Sequence, residues 1–225
     1  MTTARRLRHV AIIMDGNRRW AAQHGKPKIF GHTEGAKNIE RIVKTAADHG
    51  VEFLTMYALS TENFSNRSPS EIKHLFSLFA KLIDYSDLFA EHNVKFNVIG
   101  KIDELPENVR EVFHQLISDT RENDALTLTL AINYGGRDEI VRATGKVDSG
   151  GLTESSFSKA LDTHDLPDVD LVIRTGGFQR LSNFLLWQSA YAELYFTQRN
   201  WPEFSKEDFT EVVAWFAQQE EKKGR

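Results

Sequence analysis

The stretch that most constrains this chain is His9-Val10-Ala11-Ile12-Ile13-Met14-Asp15-Gly16-Asn17-Arg18-Arg19-Trp20. Val10 to Met14 are all apolar, and they run straight into a carboxylate, a glycine, an amide and two arginines. Such a run bounded by turn residues reads as a buried strand. Asp15 then stands where the strand leaves its sheet, and open α/β sheets bind ligands beyond the carboxyl ends of their strands. Asp-Gly-Asn turns the chain and leaves backbone N–H groups facing outward, while Arg18 and Arg19 add charge. One short turn thus offers a metal ligand and a diphosphate cradle. Alone, Asp-Gly-Asn is better explained as a β-turn with solvated arginines; recurrence of the pattern reverses that weighting.

It recurs three times. Val51 to Leu59 reads as a second strand and ends in Ser60-Thr61-Glu62-Asn63-Phe64. Leu126 to Ile132 reads as a strand and runs into Asn133-Tyr134-Gly135-Gly136-Arg137. Leu171 to Ile173 is followed by Arg174-Thr175-Gly176-Gly177-Phe178-Gln179-Arg180-Leu181-Ser182-Asn183. Val94 to Ile99 and Glu193 to Phe196 complete six expected strands. Between them, helical spacing places helices over Ala36–Ala46 with Gly50 closing, Ile72–Ile83, Val109–Ile117, Asp138–Thr144, Thr153–Leu161 and Phe184–Tyr191, with a last one from about Ser205. Ser205 and Asp208 have capping-box spacing. Lys26 to His32 reads as a basic connector and Ser65 to Ser70 as a polar loop. This alternation predicts one α/β domain over residues 1–225, a six-stranded, mainly parallel sheet with helices on both faces.

Parallel strands would bring Arg19, Arg174, Arg180 and the carboxylates Asp15 and Glu193 to one sheet edge. Arginines and exposed N–H groups suit phosphate oxygens, and a carboxylate beside phosphates suits Mg²⁺. Arg180 is expected at a helix start, where a bound anion would relieve its conflict with the dipole, and Ser182 at the N-cap. Phe76 and Phe79 read as core residues that could instead wall an apolar cavity.

Several classes are excluded. No cysteine is present, so thiolate chemistry is ruled out. The net charge of −4 implies no general affinity for nucleic acid. No run approaches the ~18 apolar residues of a membrane span, and the N-terminus lacks a signal-peptide core. A cytoplasmic protein is expected. The chain has no Walker A, Gly-x-Gly-x-x-Gly, Gly-x-Ser-x-Gly or His-Glu-x-x-His pattern.

HVAIIMDGNRRWA, FGHTEGAKN, LSTENF, NYGGRDEI, VIRTGG, RLSNFLLWQSAYAELYF and WPEF follow one another in this chain. Together they resemble the cis-prenyltransferases, the undecaprenyl diphosphate synthase family, over about residues 8–220. The resemblance implies chain elongation: an allylic diphosphate such as farnesyl diphosphate loses pyrophosphate, isopentenyl diphosphate attacks through its alkene, and a proton leaves to give a cis double bond. It implies that Asp15 holds Mg²⁺ and that Gly16, Asn17, Arg18 and Arg19 cradle the allylic diphosphate with Lys28 and His32. Trp20 would lie beside the substrate, with Ser60, Thr61, Glu62, Asn63 and Phe64 as the neighbouring wall. Arg67 would also bind substrate. Asn63 is implied as proton acceptor; an amide is a poor base, and relay through water or pyrophosphate stands beside it. Arg174, Arg180, Leu181 and Ser182 would bind isopentenyl diphosphate, and Glu193 would be a second metal-associated carboxylate. An apolar tunnel, a homodimer and transient membrane contact as product leaves are implied too.

Some positions depart from the family pattern. Lys28 replaces arginine, Phe64 replaces the commoner tryptophan, and Phe178-Gln179 replaces a glutamate followed by a polar residue. Lys222-Lys223-Gly224 only loosely matches the tail that some members use across a dimer interface. The leading reading is an active enzyme with a medium-to-long product. The alternatives are short-chain or atypical coupling, and a non-catalytic prenyl-diphosphate-binding subunit.

Overall fold

The computed structural model describes residues 6–147, 150 and 152–219; the 222–224 tail lies outside them. In chain order the elements are β1 (His9–Ile13), α1 (Asn17–Gln23), α2 (Lys28–Asp48), β2 (Phe53–Ser60), α3 (Thr61–Asn66), α4 (Pro69–Ala80), α5 (Ser86–Glu91), β3 (Val94–Ile99), α6 (Glu107–Asp119), β4 (Leu126–Tyr134), α7 (Gly136–Thr144), α8 (Glu154–Ser158), β5 (Leu171–Arg174), β6 (Glu193–Phe196) and α9 (Lys206–Phe216). The strands form one sheet in the order β3-β4-β2-β1-β5-β6, and every pairing is parallel.

All residues of β1 are buried, which is why it reads as an unbroken apolar run. Val10 and Ile12 face the larger core with Leu54, Met56, Leu128 and Ile173, while Ala11 and Ile13 face a smaller one with Val172, Phe184 and Leu185. From β1 the strand order runs outward through β2, β4 and β3 on one side and β5 and β6 on the other. The carboxyl end of β1 therefore lies where connections diverge, the usual ligand crevice of such sheets.

Four expectations need correction. First, α2 begins at Lys28, so Gly31 and His32 lie on a helix and not in a connector. Second, Ser60 ends a strand and caps α3 by accepting the Asn63 N–H, so the polar cluster is helical. Third, the helix expected to end at Ile83 gives way to a 3₁₀ turn over Lys81–Tyr85 and then to α5. Fourth, no helix covers Phe184–Tyr191. Ser182, Asn183 and Leu185 take positive φ values of 49°, 66° and 42°, and the backbone bonds outward. The Asn183 carbonyl accepts from Gly136 N–H and the Gln188 carbonyl from Val169 N–H. Arg180 consequently opposes no helix dipole, and Ser182 caps nothing. The capping box at Ser205 and Asp208 is present. No helix among the described residues is long and apolar enough to cross a membrane.

His9 shows how the sheet is tied at its amino end. The ring is fully buried; Nδ1 donates to the Pro167 carbonyl at 2.8 Å and Nε2 accepts from the Thr55 hydroxyl at 2.8 Å. Burial lowers its pKa, with the Pro167 contact and Asp170 opposing. The unfolded chain therefore takes up a proton below about pH 6.5 that the native ring refuses. Stability from this group is complete above that pH and declines as pH falls toward the folded value. Thermal midpoints are expected to fall from pH 7.5 to 5.5, less steeply in His9→Gln; equal slopes would show that His9 does not carry the linkage.

Candidate active site

The carboxyl edge of the sheet gathers three of the predicted loops around Asp15. Arg174, the last residue of β5, pairs in register with Ile13 of β1, two residues before Asp15. That register lets Arg174 Nη2 donate to Asp15 Oδ2 at 3.0 Å, while Nη1 donates to the Ser182 hydroxyl at 2.7 Å and to the Arg180 carbonyl. Asp15 Oδ1 accepts the Gly16 N–H at 2.6 Å and lies 3.0 Å from Arg19 Nη2. The Asp15 carbonyl accepts from the Thr175 hydroxyl at 2.7 Å and from Trp201 N–H at 2.9 Å. The turn is thus pinned on both its side chain and its backbone.

Gly16 makes the turn, with φ of +105°; a Cβ there would stand 2.4 Å from Asn200 Oδ1 and 2.8 Å from Asn200 Cα. It precedes α1, whose first turn has neither a side-chain cap nor an acidic residue. An anion there would complete the orphan N–H groups.

These residues border two adjoining clefts of about 680 Å³ and 190 Å³. The larger takes in Asp15, Asn17, Arg18, His32, Ser60, Glu62, Asn63, Arg67, Arg174, Arg180 and Ser182; the smaller adds Gly16 and Arg19. Other expected site residues stand elsewhere. Trp20 stacks on His24, 4.4 Å between rings and one turn along α1. Lys28 is exposed one turn before His32. Thr61 lies beside Gly135, Phe64 packs on Phe76, and Leu181 joins the smaller core. Glu193 opens β6 and pairs with Leu171, whereas Phe196 is level with Arg174. Parallel register therefore sets Glu193 at the opposite edge of the sheet from Asp15, and this chain brings one of the two expected metal carboxylates to the cleft.

Buried polar atoms without hydrogen-bond partners concentrate here: Asn17 Oδ1, Arg19 Nη2, Arg67 Nε and Arg174 Nε. Arg19 Nη2 is within ion-pair distance of Asp15, but its N–H is not aimed to bond. Three of the four atoms belong to cations, so the missing partners are anionic acceptors.

Glu71 escaped sequence reading, and Thr175, Asn183 and Phe178 were read only as part of the turn after β5, with Phe178 a departure from the family pattern and no contacts assigned. Glu71 Oε1 lies 2.9 Å from His32 Nε2 and 3.5 Å from Arg67 Nη1. Burial works to raise the Glu71 carboxyl, but His32 and Arg67 outweigh it and the net direction is down. Burial, then Arg67, lowers His32 and keeps the ring neutral, so Nε2–H donates to Glu71. The Ser68-to-Glu71 spacing was a readable signal of a helix start, and Ser68 does cap α4; that the carboxylate turns to His32 was not readable. Asn183 donates to Glu62 at 2.9 Å and accepts from Arg137 N–H at 2.8 Å, joining two strand-end loops.

Met14, Asn17, His32 and Ala58 also wall an apolar cavity of about 290 Å³ under α2 and α4. Phe79, Leu75 and Leu82 line it, and exposed Lys37, Lys81 and Asp84 stand at its rim. Phe76 does not line it. A cation-rich cleft sharing a wall with an apolar cavity suits a molecule with a diphosphate head and a hydrocarbon tail.

Comparison with known proteins gives a consistent result. A family model for undecaprenyl diphosphate synthase matches residues 13–224. The isoprenyl transferase of Thermotoga maritima is 43% identical over 224 residues, covering 96% of each chain. The (2E,6E)-farnesyl-diphosphate-specific ditrans,polycis-undecaprenyl-diphosphate synthase of Pectobacterium atrosepticum is 44% identical over 227 residues, covering 96% of this chain and 89% of that one. The lavandulyl diphosphate synthase of Lavandula x intermedia, solved with dimethylallyl diphosphate, superposes with a TM-score of 0.93 at 33% identity, covering 96% and 98%.

Proposed function

Since the chain belongs to the undecaprenyl diphosphate synthase family and is a cis-prenyltransferase, we propose that its cleft seats two diphosphates side by side and its cavity takes the allylic tail. The observation that carries this reading is the Asp15–Arg174 pair. It joins the turn assigned to the allylic diphosphate with the loop assigned to isopentenyl diphosphate, next to guanidinium N–H groups lacking acceptors.

The α1 amides, Arg18 and Arg19 hold the allylic diphosphate, and Arg174, Arg180 and Ser182 hold isopentenyl diphosphate. The C1–O bond breaks with its electron pair leaving on pyrophosphate. C4 of isopentenyl diphosphate forms the new bond to C1, and a C2 proton departs as the cis double bond forms. The pyrophosphate leaving group takes that proton, with Asn63 orienting the donor carbon's neighbourhood, because an amide is too weak a base. Guanidiniums aimed at the leaving oxygens stabilise the charge that develops there.

The donor set fits Mg²⁺ in one specific way. Among the described residues no cluster of three or more potential metal ligands exists, but Mg²⁺ is commonly held by one or two carboxylates plus substrate phosphates and water. Asp15, 28% exposed on its side chain, meets that requirement. Bound there, the ion would neutralise charge on the leaving diphosphate.

An engineered apolar cavity of about 150 Å³ holds benzene, so about 290 Å³ takes roughly a dozen carbons. Longer chains would leave past Lys37, Lys81 and Asp84. A medium-to-long product is expected. Labelled isopentenyl diphosphate with geranyl, farnesyl or geranylgeranyl starters and Mg²⁺ should give a product ladder extending beyond fifteen carbons. A predominantly fifteen-carbon product would support the second reading, short-chain coupling, which the small cavity and the likeness to lavandulyl diphosphate synthase favour. No turnover with any starter would support a non-catalytic subunit. The β6 edge, with exposed Tyr191 and Leu194, is proposed to be covered by a second copy, since open edges are usually masked. A cytoplasmic enzyme with transient membrane contact completes the proposal.

A further inference from the structure

Gly176 and Gly177 hold successive φ values of +79° and +83°. Their N–H groups donate to the Arg199 and Thr197 carbonyls at 2.6 and 2.8 Å. This stitched turn throws the next side chain, Phe178, back over the cleft. Its ring centroid lies 4.3 Å from the Arg180 guanidinium carbon, 4.8 Å from that of Arg19 and 5.6 Å from that of Arg174. All three are within the reach of a cation–π contact. The ring is 41% exposed and lines the larger cleft, so it is no core residue.

The arginines differ in what else holds them. Arg174 is fixed by hydrogen bonds to Asp15, Ser182 and a carbonyl, and Arg19 pairs with Asp15 through charge alone. Arg180 is exposed, and among the described residues its guanidinium meets the Phe178 ring and no carboxylate. A carboxylate would position it equally well, but would also neutralise it and compete with an incoming anion. An aromatic face positions a cation while leaving its N–H donors and its charge available. Such pre-organisation strengthens binding by removing the ordering cost of a long side chain.

We propose that Phe178 is a positioning residue, an uncharged clamp that holds Arg180, and more weakly Arg19 and Arg174, ready for the second diphosphate, and so sets the affinity for isopentenyl diphosphate. The proposal rests on the functional reading above and adds the group that orders its arginines.

The test uses the full chain and the variants Phe178→Leu and Phe178→Trp. Steady-state kinetics at saturating allylic diphosphate are combined with calorimetric binding of inorganic pyrophosphate and thermal midpoints. Phe178→Leu is expected to raise KM for isopentenyl diphosphate about tenfold, with kcat and thermal midpoint little changed. Phe178→Trp keeps the parent KM. A parent-like KM in Phe178→Leu overturns the clamp. Equal defects in the leucine and tryptophan variants do so too, as they would report lost shape rather than a lost ring. A rise confined to the allylic KM overturns the clamp while leaving the functional reading intact. If the parent turns over no substrate pair, that reading fails instead, and pyrophosphate binding by the parent against Phe178→Leu still decides the clamp.

Discussion

Asp15→Ala is expected to lower turnover by about 10²–10³-fold, the range seen when one pre-organised electrostatic group is removed from a site of developing charge. The variant loses more than a metal ligand. Arg174, only 5% exposed, loses its carboxylate partner at 3.0 Å, and Arg19 loses its own. A guanidinium left buried without its anion costs about 1–3 kcal/mol, enough to lower the thermal midpoint without unfolding a chain that has a full core. Asp15→Asn separates the two effects. The amide keeps one oxygen, able to accept from Gly16 N–H or from Arg174 but not from both, and carries no charge, so it should lose less stability than alanine and remain as slow as alanine. Turnover within tenfold of the parent in both variants would remove Asp15 from the mechanism. Parent-like turnover in asparagine alone would make its role one of hydrogen bonding.

The second large effect is one of packing. Gly31 lies where α2 crosses α1, and a Cβ there would sit 1.9 Å from the Asn17 carbonyl oxygen and 2.6 Å from its carbon. Both are backbone atoms and cannot swing aside. Gly35, one turn on, would meet the Asn17 side chain at 2.3 Å. In Gly31→Ala, α1 must therefore move as a body, taking the Asp15 turn with it. Alanine gains about 1 kcal/mol in helix propensity, but overpacking costs 1–3 kcal/mol and here falls at or above the upper end, because backbone meets backbone. A net loss of about 2 kcal/mol lowers the thermal midpoint by about 4–8 °C in a domain of this size, and KM for the allylic substrate should rise with it. Gly145→Ala is the matched control: φ is −73°, and the nearest atom to a Cβ, the Arg142 carbonyl oxygen, is 3.5 Å away. A midpoint in Gly31→Ala no lower than in the control would contradict the crossing geometry.

Particular residues show how far the chain could be read. The run from Val10 into Asp15 announced both a buried strand and a ligand turn, since burial on both faces and the end of a strand each leave local marks. Ser205 and Asp208 announced a helix start because a capping box closes within one turn. Phe184–Tyr191 misled: its apolar spacing matches a helix, but positive φ values at Ser182 and Asn183 just before it and at Leu185 within it, with bonds from Gly136 to Asn183 and from Val169 to Gln188, hold it open. Glu193 misled differently. It precedes the apolar residues of β6, so a parallel register carries it away from Asp15. His32 was read as part of a connector, and its partner Glu71 was not foreseen, being 39 residues distant.

From sequence alone came the α/β class, the parallel sheet, the family resemblance and the residue types of the cleft. These depend on periodicity, turn chemistry and motif order, which act over a few residues along the chain. Only the tertiary structure decided that Arg174 reaches Asp15, that Glu193 does not share their edge, and that Phe178 faces three arginines. A contact such as that of Arg174 with Asp15, 159 positions apart, is set by strand register, and a shift of a single residue would turn each side chain to the other face of the sheet.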